Sequence, residues 1–355
     1  MLNVWLDGGA QSSFGSGIWR YTSELEQELL LLDQMSVFKV DPKDVIKKWH
    51  FLGDKARTKL IWPYCLAKYF AQHGAKVDIF HGLCNLNAPI SLKRSSKTRF
   101  VVTVHDIIPL LSQSGCSLAY KMQFRYLLPK VLAFCDAIVC PSLWTLDQIV
   151  ERYPFVSGKI THIPNGFRLA SKEQVKAILP INEAKKTLLA VSRYEPYKRL
   201  DFLLEIMKTL PLDYTLTIVT DAKGALFLQK AAKKALLAAR VIIYSQLTDD
   251  ELSTLYQKAD LFLHPSLYEG FGLPPLEAAG VGVPVLFTEG NALMEYLPQA
   301  CSFALKAQLK PSDWAQLIEQ LIKKETKRYL NIDQSWIISW QSTAYQLKGL
   351  YNNLM

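Results

Sequence analysis

Short apolar runs alternate with helix-like stretches along the whole chain, and that alternation excludes most architectures. In the first half the runs read as strands at 3–6, 78–81, 100–105, 137–140 and 159–163. In the second half they fall at 187–192, 215–219, 241–244, 261–264 and 283–287. Strands that are mainly apolar, each followed by a helical pattern, are buried on both faces. That means parallel sheets flanked by helices. At 355 residues the chain is also long for one hydrophobic core. Two α/β doubly wound domains are therefore predicted, 1–168 and 169–334, with Pro164, Asn165, Gly166 and Pro180 marking the linker. Residues 335–355 read as a final helix with Trp336, Trp340, Tyr345, Leu347 and Tyr351 among polar residues.

In open α/β sheets, ligands bind beyond the carboxyl ends of the strands, so the loops there are where chemistry is sought. The loop after residue 264 is the most informative. The stretch 263–286, LHPSLYEGFGLPPLEAAGVGVPVL, reads as strand, glycine-punctuated loop, short helix and second strand. Gly270 and Gly272 permit positive φ and close backbone approach, and Pro274 and Pro275 suit a first helical turn. The loop's amides then converge on a helix N-terminus, which favours an anion. Glu269 and Glu277, seven residues between them, add two carboxylates beside that anion site. Taken alone, the glutamates are solvated charges at a helix start. With the whole loop present they fit a ligand carrying both phosphate and hydroxyls, such as a sugar nucleotide.

At 269–278, EGFGLPPLEA, the chain resembles the family 4 glycosyltransferases, retaining enzymes of the GT-B fold, and matches their signature residue for residue. The resemblance implies two Rossmann-like domains facing across a cleft, the N-terminal one binding the acceptor and the C-terminal one the nucleotide sugar. It also implies that the last helix crosses back onto the N-terminal domain. Glu269 takes a catalytic role, while Gly270, Phe271, Gly272, Leu273 and Glu277 bind the donor. In VSRYEPYKRLDFLLE, residues 191–205, the family places an Arg and a Lys in a strand-to-helix loop. Arg193 and Lys198 fill those positions as the cations on the leaving diphosphate. Arg199 is read instead as a surface partner of Glu195 or Asp201. His105 and Asp106, closing the run FVVTVHD, resemble a family pair near the donor sugar, His105 beside the reacting carbon. The loop containing Gly8, Gly9, Gly15 and Gly17, followed by Arg20 and Tyr21, matches a glycine-rich loop of the family; Gly15 and Gly17 are assigned to the donor. A dinucleotide fingerprint would need a third glycine where Arg20 stands, which counts against a nicotinamide or flavin enzyme. Thr248 and Glu251 form a capping box, Asp249 and Asp250 are helix-start charges, and residues 244–247 correspond to the family's base-binding loop. Glu295 resembles a family position near the nucleotide.

Several classes are excluded or left as rivals. No run of about eighteen apolar residues exists to span a bilayer. The opening MLNVWLDGG lacks a basic region before an apolar one and reads as a buried strand, not a signal peptide. The six cysteines show no zinc-type pairs and read as reduced core residues of a cytoplasmic protein. No Asp-x-Asp triplet or His/Cys cluster suggests a metal, so no metal and no cofactor are expected; protein cations replace them. Residues 1–170 carry 20 Lys and Arg against 13 Asp and Glu, whereas 171–355 carry 21 against 19. The even second half and the absence of a recognised motif argue against nucleic acid. Between Lys39 and Lys130 the balance is 16 to 5, with Trp49, Phe51, Trp62, Tyr64 and Phe70 interleaved. This suits peripheral attachment to an anionic membrane surface and a carbohydrate or lipid-linked acceptor; a freely soluble enzyme whose aromatics are core fits the same residues. The HDIIP stretch resembles mannosyl-type members, making GDP-mannose the first candidate donor. The rivals are a phosphorylase-like or sucrose-forming enzyme of the same fold, and a nucleotide-sugar-binding protein without transfer.

Overall fold

A computed structural model describes residues 1–9, 16–45, 62–93, 97–169, 185–323 and 334–355. In chain order the elements are β1 (Leu2–Asp7), α1 (Gly17–Leu30), β2 (Met35–Val40), α2 (Trp62–His73), β3 (Ile79–Gly82), β4 (Arg99–Thr103), α3 (Leu118–Phe134), β5 (Ala137–Cys140), α4 (Leu143–Arg152) and β6 (Ile160–His162). There follow β7 (Lys186–Val191), α5 (Leu200–Thr209), β8 (Tyr214–Thr220), α6 (Ala222–Lys234), β9 (Val241–Ser245), α7 (Asp249–Lys258) and β10 (Leu261–His264). The chain continues through α8 (Leu273–Gly280), β11 (Val285–Thr288), β12 (Ser302–Leu305), α9 (Pro311–Lys323) and α10 (Trp340–Leu354). Two compact units result. The first comprises 1–112, 116–166 and 338–355; the second comprises 113–115 and 167–337.

Among the described residues each unit holds one six-stranded sheet, in the orders β2-β1-β3-β4-β5-β6 and β12-β11-β10-β7-β8-β9, and every strand pair is parallel. The predicted doubly wound α/β class is observed. The interior strands β3, β5, β10 and β11 are buried at every position, their polar residues His81, His264 and Thr288 included. Two strands escape the sequence reading, β2 and β12, and both lie at sheet edges. β2 alternates between half-buried and exposed before ending on the buried Val40, and β12 is half-buried except for the exposed Ala304, so neither has the burial of an interior strand. The run at 100–105 also stops earlier than expected: β4 ends at Thr103, although the Val104 amide still bonds the Val139 carbonyl at 2.8 Å.

The helices close the cores by ordinary means. Ser16, Ser117, Ser142, Asp221, Thr248 and Ser339 each cap a helix through the side chain. The capping box of Thr248 and Glu251 is present as expected. The final helix starts at Trp340, five residues later than expected, and lies in the first unit against α1. Trp62 and Phe70 belong to the first core, so they leave the aromatic set read as a membrane surface; Tyr64 is exposed, and Trp49 and Phe51 lie outside the described residues. Cys135, Cys140 and Cys301 are buried, but Cys65, Cys84 and Cys116 are only half-buried, which corrects their reading as core.

Candidate active site

In the second sheet the strand order turns at β7, which pairs β8 on one side and β10 on the other. Loops leaving β7 and β10 diverge there, at the topological switch point where such sheets bind ligands. The loop after β7 contains a 3₁₀ turn, Pro196–Lys198. Arg199 then adopts φ +53°, reversing the chain so that α5 starts at Leu200. The Leu267 amide bonds the Tyr197 carbonyl at 2.8 Å and ties the two loops together.

That geometry joins residues far apart in sequence. Lys198 Nζ donates to Glu269 Oε1 at 2.5 Å, and His264 Nε2 meets the same oxygen at 2.5 Å. All three side chains are largely buried. Burial alone would raise the Glu269 pKa, but the Lys198 charge and the His264 contact outweigh it and hold the group down at about 2. Glu269 is therefore an anion at any working pH and keeps Lys198 in place. His264 was not singled out from the sequence, although it ends an apolar strand with a polar residue, the same signal that marks His105.

The signature loop is built as its residue types require. Gly270 and Phe271 are buried, the Phe271 ring 4.7 Å from that of Tyr296. Gly272 has φ +91°, and a Cβ there would lie 2.4 Å from Leu293 Cδ2. Only glycine fits. Leu273 opens α8, with Pro274 and Pro275 in its first turn. Glu277 is not in that first turn as expected but is the fifth residue of α8, buried, accepting from the Tyr256 hydroxyl at 2.9 Å. Arg193 is exposed, and its charge is one of the factors that hold Asp221 low against burial. Arg199, read as a surface partner of Glu195 or Asp201, is half-buried and feels the Asp201 charge. Its guanidinium donates to the Ala307 carbonyl at 3.2 Å and stacks over Phe202 at 4.0 Å. Glu295 is exposed in the short helix Leu293–Tyr296. Two buried hydroxyls at the carboxyl ends of this sheet, Thr220 and Thr288, have no hydrogen-bond partner among the described residues.

In the first unit the switch falls at β1, between β2 and β3. Asp7 ends β1 fully buried and accepts from the Gly9 amide at 3.1 Å, Trp62 Nε1 at 2.8 Å and Asn87 Nδ2 at 2.5 Å. Burial prevails over these bonds and raises its pKa to about 6. The sequence reading missed Asp7, because a carboxylate at a strand end beside two glycines looks like a turn residue. Gly17 is the exposed first residue of α1, and Gly15 lies outside the described residues.

His105 is buried rather than projecting freely from its strand. Its Nε2 bonds the Leu83 carbonyl at 2.9 Å, so Nε2 carries the proton and Nδ1 is left as the acceptor. Asn85 holds the loop by accepting from the His105 amide at 2.8 Å and donating to the Asp106 carbonyl at 2.9 Å. Asp106 Oδ1 accepts from the Ile108 amide at 2.9 Å and thereby shapes the following turn. A buried chain of hydrogen bonds runs behind the site. The Tyr351 hydroxyl meets His81 Nδ1 at 2.6 Å, His81 Nε2 meets Thr103 Oγ1 at 2.8 Å, and that oxygen meets the Tyr21 hydroxyl at 2.9 Å. The Tyr21 ring then stands edge-on to His105 at 4.7 Å.

Burial lowers both histidines, His81 to about 3 with help from the neighbouring His105, and His105 to about 4 despite the Leu83 bond. An acid response follows. Each ring favours folding fully above its unfolded value near 6.5 and loses that contribution as pH falls towards its folded value. Asp7, raised to about 6, opposes them, because the folded state takes up its proton first as pH falls. Two histidines against one carboxylate leave a net loss of about 1.4 kcal/mol per pH unit between pH 6 and 4.5. Urea unfolding across that range should show it, and Asp7→Asn should steepen the decline. A stability independent of pH there would contradict the buried neutral histidines.

With this geometry established, comparison places the chain among known proteins. Residues 171–335 match the family model described as glycosyl transferases group 1, and 20–171 match that described as glycosyltransferase family 4. The O-antigen chain mannosyltransferase RfbU of Salmonella typhimurium is 27% identical over 298 residues, covering 80% of this chain and 81% of that protein. A D-inositol 3-phosphate glycosyltransferase of Corynebacterium urealyticum is 30% identical over 315 residues, covering 80% and 73%. Among solved structures, a sucrose-phosphate synthase from Thermosynechococcus elongatus superposes with a TM-score of 0.79 at 17% identity, covering 100% of this chain and 99% of the other. At that identity the likeness concerns the fold alone, and the fold is GT-B.

Proposed function

Since the chain belongs to family 4 of the glycosyltransferases, we propose that it transfers a sugar from a nucleotide diphosphate donor to a hydroxyl of a carbohydrate or lipid-linked acceptor in glycan biosynthesis. The donor sugar is mannose, carried as GDP-mannose, and the anomeric configuration is retained. The name of the RfbU relative supports mannose. The observation that carries the reading is the Lys198–Glu269–His264 cluster at the switch point of the second sheet. It holds a cation where a diphosphate would leave.

In this reading the bond between C1 and the diphosphate oxygen breaks, and the electron pair leaves with the diphosphate. The acceptor oxygen bonds C1 on the same face, and its proton passes to a departing phosphate oxygen. Lys198 and Arg193 stabilise the developing charge, Glu269 and the 270–273 backbone orient the sugar and phosphate, and Glu277 holds the nucleotide ribose. Neutral His105 accepts a sugar hydroxyl at Nδ1, and Asp106 and Gly17 border the donor. Protein cations make a divalent metal unnecessary. A phosphorylated polyol is the second acceptor reading, favoured by the name of the 30% identical relative.

A panel of nucleotide sugars tests the donor, because a ligand binding only the folded state stabilises it by about 2.7 kcal/mol at a hundred times its Kd. GDP-mannose should raise the melting temperature, and transfer should then proceed in excess chelator. A shift with UDP- or ADP-sugars alone would remove mannose. A requirement for added divalent metal would contradict metal independence, and a shift without any product would indicate a binding protein.

A further inference from the structure

Helix α10 reaches the ring of His105 through buried side chains that all belong to the first unit. The Tyr351 hydroxyl bonds His81 Nδ1 at 2.6 Å, His81 Nε2 bonds Thr103 Oγ1 at 2.8 Å, and Thr103 bonds the Tyr21 hydroxyl at 2.9 Å. His81 and Thr103 stand on the adjacent strands β3 and β4, and Tyr21 lies in α1, which packs on α10. Tyr21 is 1% exposed and the other three are fully buried. A polar chain at such depth costs stability at any member left unpaired, and fully paired it is rigid. Neutral His81 donates from one ring nitrogen and accepts at the other, so it needs a hydroxyl on each side. Core packing alone would be met by apolar residues at these positions. The chain ends beside a candidate site residue: the Tyr21 ring stands edge-on to that of His105, at 83° and 4.7 Å. The Trp340 ring, at the start of α10, also meets Tyr21, at 5.9 Å.

We propose that Tyr21 is a positioning residue for sugar transfer: it fixes the His105 ring with Nδ1 available to the donor sugar, and α10 holds Tyr21 in place through Tyr351, His81 and Thr103. The bond from His105 Nε2 to the Leu83 carbonyl anchors one corner of the imidazole. A ring anchored at one corner still tilts, and a second ring packed against it removes that freedom. Tyr21 can do this only if its own ring keeps its place, which the bond from its hydroxyl to Thr103 ensures. Small tilts matter, because an error of about 1 Å in a reacting group costs up to about 10²-fold in rate. At 1% exposure Tyr21 is closed off from substrate and acts through His105. The proposal rests on the assignment of His105 to the donor sugar. It gives the C-terminal helix a part in the chemistry as well as in the fold.

Turnover of folded variants of the full chain tests it, with the affinity for bare nucleoside diphosphate measured on the same samples. Tyr21→Leu should lower kcat roughly tenfold or more and leave that affinity unchanged. Tyr21→Phe keeps the ring and loses only the hydroxyl, so it should restore most of the lost kcat. The deciding measurement is a cycle with His105→Ala. In that background Tyr21→Leu should cost little further turnover, because nothing is left for it to position. Unchanged kcat in folded Tyr21→Leu overturns the proposal, as does an equal loss in both backgrounds, which is what a purely structural residue would give. Should Tyr21→Leu not fold, Tyr351→Phe carries the same cycle, since it deletes one oxygen and keeps the packing. It should lower kcat when His105 is present and not when His105 is absent; no loss with His105 present overturns the proposal. Full turnover by His105→Ala removes the assignment of His105 and the positioning role with it. Lost turnover in His105→Ala beside normal turnover in the Tyr21 and Tyr351 variants removes the positioning role alone.

Discussion

Lys198→Ala should lower transfer by a factor on the order of 10²–10³, the usual cost of losing one group that stabilises charge on a leaving or attacking oxygen. It should also damage the fold. Glu269 would remain in a site where its side chain is 8% exposed, with its cation gone, and breaking a buried pair from one side costs about 3–5 kcal/mol. The acid response of this carboxylate should weaken as well. In the wild type its pKa of about 2 lies below the unfolded value of 4.5, so its stabilisation is complete above 4.5 and is lost as pH falls towards 2. Without Lys198 only the His264 contact opposes burial, so less of this stabilisation remains to be lost on acidification. A second variant separates fold from chemistry. Lys198→Met/Glu269→Gln removes both charges and should recover most of the stability but none of the activity. If Arg193 shares the same phosphate cluster, adding Arg193→Ala to Lys198→Ala should cost less than its effect alone. Normal turnover by folded Lys198→Ala would remove the leaving-group site altogether.

Why that pair could not be read from the sequence is instructive. Lys198 and Glu269 are separated by 71 residues and meet only because β10 pairs with β7. Alternating apolar runs count strands but do not order them, so the crevice at β7 is invisible until the sheet is assembled. The interior strands were legible because burial on both faces leaves a mainly apolar signature. The edge strands β2 and β12 were not, since one side of each meets solvent and Lys39 sits within β2. The signature loop was legible for another reason. Its φ of +91° at Gly272 and its two prolines are requirements written into residue types. Partners supplied by packing left no such mark. Nothing in the local sequence of Tyr256 announces that its hydroxyl reaches Glu277, and nothing around His81 announces the bond to Tyr351. Trp62 shows the opposite failure. Basic neighbours made it look like a surface aromatic, whereas it is fully buried with its ring nitrogen on Asp7.

Glu277→Gln should weaken binding of the donor and of the bare nucleoside diphosphate alike, by about 10- to 100-fold. The reason is the proposed role. A carboxylate can accept from two adjacent ribose hydroxyls, and hydrogen bonds to a charged group contribute roughly 1.5–3 kcal/mol each. The ribose is remote from the bond that breaks, so its contacts are equally strong before and during the reaction. Losing them should raise KM and leave kcat nearly unchanged, in contrast to Lys198→Ala, where kcat falls. Tyr256 provides the check on positioning. Its hydroxyl donates to Glu277 Oε2 at 2.9 Å and fixes the carboxylate in α8. Tyr256→Phe keeps the charge but frees its orientation, and should therefore produce the same KM effect in weaker form. Glutamine at 277 keeps the shape and can still accept from Tyr256 through its carbonyl oxygen, so the fold should be nearly unaffected and the affinity loss attributable to the nucleotide. Unchanged affinity of folded Glu277→Gln for the bare nucleoside diphosphate would show that the ribose is held elsewhere.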